Sequence, residues 1–351
     1  MTLPTTLPPA DVFARGSAPS LRWGVLAPGG IAAAFVTAVL RFTDQRVVAV
    51  GSRSPERAAA FAARFEIPRS CGSYEDLVAC DDVDVVYIAS PQSEHVRLGM
   101  LAIGAGKHVL IEKPLATRAD DGRRLLTAAR EAGVFAMEAM WTRYLPQSGV
   151  LRRLIADGVL GDIELVLADH GQAVPRDPSR RVWRPELGGG ALGDMGIYPI
   201  AFASEMLGPP TEVLAQGMLT PTGVDAYATL ALSHAGGRHA SISTGLLTRS
   251  PLVATVAGSR ARVDLASPFF TPTSFTLSST EVFAGESVTW REPTGMVGFD
   301  GLSWEATALA RFVDEGRMES PLHGHDETVS ILATIDEARR QIHAAGHVAG
   351  L

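Results

Sequence analysis

The sequence predicts an α/β fold, in which a doubly wound parallel sheet is followed by a second domain with an antiparallel sheet. Three observations predict this architecture. From residue 21 to about residue 143, short apolar runs alternate with longer amphipathic segments, as in βαβ units. From Thr211 to about Arg291, strand patterns follow one another with turn signals between them. A length of 351 residues is typical of two domains.

The elements of the first part follow from local signals. Arg22 to Leu26 is an apolar strand, and a helix is expected from Ile31 to Leu40. Pro55 to Phe65 is an Ala-rich helix, with Ser54 as its N-cap and Pro55 at its first position. The strands lack clean alternation, which favours a sheet covered on both faces. The other elements predicted here are strands at 47–50, 83–89, 108–111 and 134–138, and helices at 94–105 and 117–132.

The second part, after about residue 143, has a different pattern of helices and strands. Ala235-Gly236-Gly237 is a hairpin turn, and hairpin spacing of strands implies an antiparallel sheet. The elements predicted here are helices at 146–157, 197–207, 304–315 and 327–344, and strands at 163–169, 213–219, 227–233, 239–244, 253–256 and 261–265. The predicted division is a mobile leader at 1–20, a nucleotide-binding domain at 21–143 and a substrate and oligomerisation domain at 144–351.

Composition excludes several classes of protein. Hydrophobic residues make up 46% and charged residues 20%, which rules out wholesale disorder. A net charge of -7 disfavours binding to nucleic acid or to an anionic membrane. No apolar run reaches the roughly 18 residues of a membrane span, and the leader lacks a secretory signal, so we expect a cytoplasmic protein. Cys71 and Cys80 favour two reduced thiols, although one bridge between them stays open.

The turn after the first strand carries a variant of the dinucleotide fingerprint. Ala27, Gly29 and Ala32 occupy the positions of G-x-G-x-x-G/A, with Ala27 departing from the usual first glycine. Gly29 lets the backbone approach a pyrophosphate, which the helix N-terminus stabilises. We therefore expect a Rossmann domain in which this turn, with Gly30 and Ile31, binds the cofactor. The alternative is an ordinary turn that contains glycine.

The end of the second strand bears on the choice of cofactor. NAD sites usually place an acidic residue there, whereas this chain has Ser52 and Arg53. A hydroxyl and a guanidinium suit a 2′-phosphate. The sequence therefore predicts NADP, with NAD still possible. The alternative is that Arg53 is a solvated loop residue.

Two further loops follow strand ends, where ligands bind in open α/β sheets. Ser90, Pro91 and His95 come after one strand, and Glu112 and Lys113 come after the next. All five are expected at the cofactor. A lysine there can hydrogen-bond a substrate hydroxyl and stabilise alkoxide charge, although a surface lysine is the alternative.

These motifs occur in a fixed order with a glycine-rich segment from Gly188 to Pro199. In that order, over residues 21 to 345, the chain resembles the glucose-fructose oxidoreductase/inositol dehydrogenase/rhizopine catabolism (Gfo/Idh/MocA) family of NAD(P)-dependent oxidoreductases. The segment from Glu138 to Pro146, together with Tyr198, resembles the branch of dimeric dihydrodiol dehydrogenases and NADP-dependent D-xylose dehydrogenases. The resemblance implies a Rossmann domain, a second α/β domain with an open, mainly antiparallel sheet, and a homo-oligomer, dimer or tetramer, formed through that sheet.

The resemblance also implies roles for residues. Lys113 is the residue most tied to catalysis, Asp194 positions substrate, and Tyr198 stands where many members have histidine and acts as the acid/base. Tyr198 can do so if cationic Lys113 lowers its pKa from about 10 towards neutrality. For that, Lys113 and Tyr198 must meet beside the nicotinamide. The alternative is that Asp194 caps a helix and Tyr198 packs in the core.

The implied reaction moves a hydride between the nicotinamide and a hydroxyl or carbonyl carbon of a sugar or cyclic diol. Trp141, Arg143 and Trp183 are candidate substrate contacts, with core or surface positions as their alternatives. No metal is expected, since the segment from His323 to Glu327 is better explained as a helix start with Asp326 as N-cap. Two other functions stay open: a non-catalytic nucleotide-sensing regulator, and a glycoside hydrolase that retains its NAD.

Overall fold

The computed structural model describes residues 3–283 and 285–348. Within them the chain divides into two compact units. The Rossmann unit contains residues 12–144 and 298–329, and the sheet unit contains residues 3–11, 145–297 and 330–348. The predicted boundaries, 1–20, 21–143 and 144–351, differ from this division. Residues 298–329 return to the Rossmann unit, a long-range association that no local pattern predicts.

The Rossmann unit has a parallel sheet of six strands in the order β3-β2-β1-β4-β5-β6. This is the order of a doubly wound sheet, in which ligands bind where the strand order reverses. The central strands are buried on both faces, as their unbroken apolar runs predicted. The strands are Arg22–Leu26 (β1), Arg46–Gly51 (β2), Arg69–Cys71 (β3), Val85–Ile88 (β4), His108–Ile111 (β5) and Ala136–Glu138 (β6).

Five helices alternate with these strands: Gly30–Phe42 (α1), Pro55–Phe65 (α2), Tyr74–Val78 (α3), His95–Gly104 (α4) and Ala119–Glu131 (α5). The cap predicted for α2 is confirmed, because the Ser54 side chain accepts a hydrogen bond from the Arg57 N–H and Pro55 is the first helical residue. Strand β3 and helix α3 were not predicted as elements. They have only three and five residues, too few to show a period.

The predicted mobile leader includes a packed aromatic residue. The ring of Phe13 makes edge contacts with the rings of Tyr144, at 5.9 Å, and Phe312, at 5.7 Å. The Arg311 guanidinium lies over the same ring, 4.7 Å from its centroid. The leader is therefore fixed at this point, which a single apolar residue in a polar segment did not predict.

The sheet unit has eight strands in the order β14-β13-β12-β11-β7-β10-β9-β8. Strands β7 and β10 pair in parallel and the other neighbours pair antiparallel, so the predicted mainly antiparallel sheet is confirmed. The strands are Ile163–Gly171 (β7), Pro210–Leu219 (β8), Asp225–His234 (β9), His239–Gly245 (β10), Ala254–Gly258 (β11), Ala261–Leu265 (β12), Phe275–Ser279 (β13) and Ser287–Trp290 (β14).

The remaining helices are Pro146–Ala156 (α6), Ile197–Leu207 (α7), Leu302–Asp314 (α8) and His325–Ala345 (α9). Helix α7 packs on strands β7 and β10 of the sheet unit, and helix α8 belongs to the Rossmann unit. Helix α9 starts at His325, so Asp326 lies in its first turn and is not its N-cap, as the sequence had suggested.

One face of the second sheet carries exposed apolar side chains. Leu167, Leu214, Tyr227 and Val253 have exposed fractions between 38% and 57%. Strand register places Leu167 and Leu214 on the same face, because Leu167 pairs with Ser241, Ser241 with Ala231 and Ala231 with Leu214. Tyr227 shares this face, since it is four residues before Ala231 on β9, and Val253 is two residues before Thr255, which pairs with Leu167. We call these four side chains the open face.

Candidate active site

The turn between β1 and α1 has room for a phosphate. Gly29 is the N-cap of α1 and has extended backbone, and the helix lacks a side-chain cap. A Cβ atom at Gly29 would meet nothing nearer than the Ala27 carbonyl oxygen at 3.9 Å, and one at Gly30 would meet nothing within 4 Å. The N-terminal N–H groups of α1 therefore face open space that suits an anion.

Ala27 has a φ of 63°, in the left-handed region that favours glycine. The departure from the fingerprint glycine therefore keeps the backbone conformation of a glycine at that position, at a modest cost in strain. Its N–H donates to the Gly51 carbonyl at 3.0 Å, which joins the turn to β2. The residues present thus fit a dinucleotide pyrophosphate.

After β2, the two residues of the predicted cofactor-selecting pair differ in exposure. Ser52 is buried, and its hydroxyl accepts a hydrogen bond from the Ser54 N–H at 3.2 Å. Arg53 is exposed at the tip of the turn. Ser52 therefore shapes the turn, whereas the Arg53 guanidinium is accessible to a ligand.

His95 joins the two loops that follow β4 and β5. Its ring is buried, with Nδ1 2.8 Å from the Pro114 carbonyl oxygen and Nε2 2.9 Å from that of Ser90. The structure therefore gives His95 the role of holding these loops, which carry Pro91 and Lys113. Its contribution to cofactor binding stays a prediction.

Glu112 is buried directly before Lys113. The Tyr87 hydroxyl donates to its Oε1 at 2.5 Å, and the Lys113 N–H donates to its Oε2 at 3.3 Å. Burial raises the pKa of Glu112 above its usual value, although the hydroxyl and the Lys113 charge oppose this. On α8, burial raises the pKa of Glu305 well above its usual value, and Glu112 adds to the effect.

The sheet unit positions the other two predicted catalytic residues. The turn Leu192–Gly196 is a π-helix that leads into α7, a geometry frequent at functional sites. Within it, the Asp194 carboxylate pairs with the Arg181 guanidinium at 2.6 Å, and both side chains are partly accessible. This pair keeps Asp194 ready to accept hydrogen bonds as an anion. Its role as a helix cap, the alternative weighed above, has no support in this geometry.

Tyr198 lies on α7 with 8% of its surface exposed. Its ring stacks on that of Phe270 at a centroid distance of 5.1 Å and lies 5.3 Å from the His170 ring. The His170 and Phe270 rings stack at 4.1 Å, and the Gln172 side-chain amide is 2.9 Å from Nε2 of His170. Tyr198 therefore belongs to a polar and aromatic cluster rather than to a purely apolar core.

The comparisons with known proteins agree with this geometry. Residues 21–140 match the oxidoreductase family with an NAD-binding Rossmann fold, and residues 150–264 match the Gfo/Idh/MocA C-terminal domain. The chain is also 34% identical over 328 residues to trans-1,2-dihydrobenzene-1,2-diol dehydrogenase of Danio rerio, covering 92% of this chain and 97% of that one. This chain belongs to the Gfo/Idh/MocA family of oxidoreductases. The resemblance predicted from the motifs is confirmed.

Other relatives extend the comparison. The Homo sapiens trans-1,2-dihydrobenzene-1,2-diol dehydrogenase is 35% identical over 333 residues, covering 92% of this chain and 97% of its own. Among solved structures, KijD10, a 3-ketoreductase from Actinomadura kijaniata crystallised with NADP and TDP-benzene, has a TM-score of 0.81 at 27% identity. That match covers 92% of this chain and 98% of KijD10. Among the described residues, no helix is long and apolar enough to cross a membrane.

Two of the predicted substrate contacts lie in packed surroundings of this Gfo/Idh/MocA protein. Arg143 is buried and pairs with Glu327 at 2.7 Å, so its position is that of a structural ion pair. Trp183 is buried in an apolar cluster with Met195 and Leu246, and its indole N–H donates to a backbone carbonyl. Arg143 and Trp183 are therefore packed within their own units, as their alternatives proposed, and their contact with substrate stays a prediction.

Trp141 is also buried, but its ring faces a partly exposed partner. The Phe299 ring lies 6.1 Å from it, and Phe299 is 57% exposed. Trp141 therefore keeps one aromatic neighbour at the surface of the Rossmann unit. Its contact with substrate stays a prediction.

In the sheet unit the structure pairs Asp194 with Arg181 and places Tyr198 four residues further along the chain, against His170 and Phe270. In the Rossmann unit it places Glu112 beside Lys113. Sequence reasoning missed His170 and Phe270. His170 had one available signal, since it lies near the carboxyl end of a strand, where functional residues are common. Phe270 had none, because it lies in a loop.

Proposed function

We propose that this Gfo/Idh/MocA protein is an NADP-preferring dehydrogenase or reductase acting on a CH–OH carbon of a cyclic diol or sugar. The Asp194–Arg181 ion pair carries the proposal, because it lies four residues before Tyr198 and thus combines an ionised hydrogen-bond acceptor with a proton carrier on one segment. Support comes from relatives named for a cyclic diol and from KijD10, a ketoreductase crystallised with NADP.

In the oxidation direction, the Tyr198 oxygen, deprotonated, takes the proton of the substrate hydroxyl as the hydride leaves the same carbon. Asp194, held as an anion by Arg181, accepts a hydrogen bond from a neighbouring hydroxyl and orients the substrate. The family motif assigns Lys113 to the oxygen of the same substrate hydroxyl. At that oxygen its positive charge stabilises the developing alkoxide. When bound, the nicotinamide supplies the hydride acceptor.

The NADP preference is supported by the turn after β2. It has no acidic side chain between Gly51 and Ser54, and it presents the exposed Arg53. An acid there would accept from a ribose 2′-hydroxyl and would repel a 2′-phosphate. A guanidinium attracts that phosphate and offers it several donors.

A cyclic substrate is supported by the ring stack beside Tyr198. Phe270 is half-buried and lies against both Tyr198 and His170, so an aromatic surface borders the proton carrier. The flat face of a ring substrate packs well on such a surface. Of two vicinal hydroxyls on that ring, one would then give its proton to Tyr198 and the other would donate a hydrogen bond to Asp194.

The first experiment measures steady-state turnover of NADP with a panel of cyclic diols and sugars. Tyr198→Phe keeps the ring and removes the proton carrier, so kcat should fall by about 10²-fold or more while NADP affinity stays within a few-fold. Lys113→Met should do the same, and the double variant should be little worse than either single one.

A matched control is Tyr144→Phe. Tyr144 is also buried, and its hydroxyl donates to Ser320 at 2.8 Å, so this variant should lose stability and keep its turnover. Equal turnover losses in Tyr198→Phe and Tyr144→Phe would refute the acid/base role. NADP binding without turnover of any substrate would favour the regulator, and glycoside cleavage without net NADP turnover would favour the hydrolase.

We also propose that the protein forms a homo-oligomer through the open face. Exposed apolar side chains on one sheet face lower the free energy when a second copy covers them. Leu214→Asp should shift the protein to a smaller species in sedimentation experiments, and an unchanged mass would refute this interface. A cytoplasmic location stays a prediction.

A further inference from the structure

Asp225, the first residue of β9, is a carboxyl group buried beneath the segment that carries the proposed catalytic residues. Only 2% of its surface is exposed. Its Oδ2 accepts a hydrogen bond from the Leu192 N–H at 2.6 Å, and its charge is also stabilised by the Ala191 N–H. These two amides belong to the start of the π-helical turn, where N–H groups lack partners inside the helix.

The glycine before this turn permits the contact. Gly190 has a φ of +122°, and a Cβ atom there would lie 2.3 Å from Oδ1 of Asp225. Any other residue at 190 would push the carboxylate off the amides. The last glycine of the run from Gly188 to Gly190 is thus explained by Asp225, a residue 35 positions away in the sequence.

We propose that Asp225 is a positioning residue, whose carboxylate fixes the amide end of the turn from which Asp194 and Tyr198 project. The inference rests on the proposed function. Asp194 is two residues beyond the bonded amide of Leu192, and Tyr198 is six, so a shift of the turn moves both. Displacements of about 1 Å can cost 10²-fold in rate, even when they originate away from the chemistry.

The charge of the Asp225 carboxyl depends on pH. Burial raises its pKa to about 6, although the Leu192 amide and Arg339 on α9 oppose this. Arg339 itself pairs with Asp336 at 3.5 Å. The carboxylate is therefore ionised at pH 7 to 8 and becomes neutral as the pH falls through about 6, which weakens its hydrogen bonds to the amides.

Other ionisable groups lie in or beside the same turn: Asp194, paired with Arg181, and Tyr198 on α7, whose ring contacts that of His170 on β7. A pH effect in the wild type alone does not distinguish them from Asp225. Removing the Asp225 charge by substitution does distinguish them, since the other ionisable groups stay in place.

The test compares Asp225→Asn with Asp169→Asn. Asp169 is a matched control, because its carboxylate also accepts from two backbone amides of the sheet unit, those of Leu252 at 2.7 Å and Val253 at 3.2 Å. Both variants should lower the melting temperature. Only Asp225→Asn should lower kcat, by roughly tenfold to hundredfold, with the NADP dissociation constant unchanged.

The pH profile gives a readout that a purely structural role does not change. In the reduction direction, Tyr198 donates the proton and is already protonated at low pH, so it adds no acid limb. In that direction the wild-type kcat should fall below about pH 6, and in Asp225→Asn this acid limb should be absent. Equal kcat in the two Asn variants, or an acid limb that persists in Asp225→Asn, would overturn the inference. If Tyr198→Phe keeps its turnover, the proposed function fails. If Tyr198→Phe loses turnover and Asp225→Asn keeps it, only the positioning role fails.

If Asp225→Asn does not fold, hydrogen exchange on the wild type tests whether Asp225 fixes the turn. The peptide spanning residues 191–198 should lose protection when the pH falls from about 8 to about 5, after correction for intrinsic rates, while β10 keeps its protection. Unchanged protection in that peptide would overturn the inference.

Discussion

Replacing Glu138 by Gln should strongly destabilise the Rossmann unit, because Glu138 lies in a buried charged network. Its Oε1 accepts from the Leu115 N–H at 2.6 Å, and its Oε2 faces Nε2 of His323 at 2.8 Å. Neither side chain of the Glu138–His323 pair is exposed. On the other side of the imidazole, Nδ1 lies 3.4 Å from Glu327, which pairs with Arg143 at 2.7 Å.

The magnitude follows from these contacts. Each hydrogen bond to a charged partner contributes about 1.5–3 kcal/mol, and removing one member of a buried pair costs about 3–5 kcal/mol. We therefore expect Glu138→Gln to lower the free energy of unfolding by about 3–5 kcal/mol. Asp157→Asn is the control, because the Arg153–Asp157 pair is 67% and 47% exposed. It should cost less than about 0.5 kcal/mol.

The cost of Glu138→Gln should also depend on pH. Burial lowers the pKa of His323, but hydrogen bonds to Glu138 and Glu327 outweigh it and leave that pKa above its usual value of 6.5. A raised histidine pKa adds stability that is complete below about pH 6.5 and is lost as the pH rises through the folded-state pKa. The difference between wild type and Glu138→Gln should therefore be largest near pH 6 and smaller near pH 9.

Denaturant unfolding at several pH values, followed by one signal from the Rossmann unit and one from the sheet unit, which contains Asp157, measures both effects. Equal costs for Glu138→Gln and Asp157→Asn would refute the buried network as a source of stability. A difference that grows with pH would refute the assignment of the positive charge to His323.

Three further predictions concern the cofactor turn and the leader. Arg53→Ala should raise the KM for NADP roughly tenfold to hundredfold and leave that for NAD nearly unchanged, whereas equal losses would contradict a 2′-phosphate contact. Gly29→Val should keep the melting temperature within a few degrees, because nothing lies within 3.9 Å of a Cβ there, but NADP should no longer raise it. Phe13→Ala should lower the free energy of unfolding by about 2–4 kcal/mol in urea, and unchanged stability would show that the leader contributes nothing.

Among the elements, the sequence alone determined those with a complete local pattern. The bounds of β1, α2, β5, α7 and β12 are the predicted ones, because apolar runs, caps and turn residues within a few positions specify them. The fingerprint turn was predictable for the same reason. Gly29 lies between a strand and a helix that local sequence signals both predict. Its position at the helix N-terminus could therefore be predicted without any long-range contact.

Burial of single residues was decided by the tertiary structure. Arg143 and Trp183 carry no local sign that distinguishes a packed position from a ligand contact, since a buried arginine depends on a partner such as Glu327, 184 residues later. Phe13 is fixed by Tyr144 and Phe312, which the sequence places far away.

The candidate site divides in the same way. The order of its motifs, from Lys113 to Tyr198, was evident in the sequence and sufficed for the family. The ring contacts of His170 with Tyr198 and the bond from Leu192 to Asp225 were not, because they join residues 28 and 33 positions apart. Such contacts depend on strand register and on the packing of a π-helical turn, which near neighbours in the sequence do not specify.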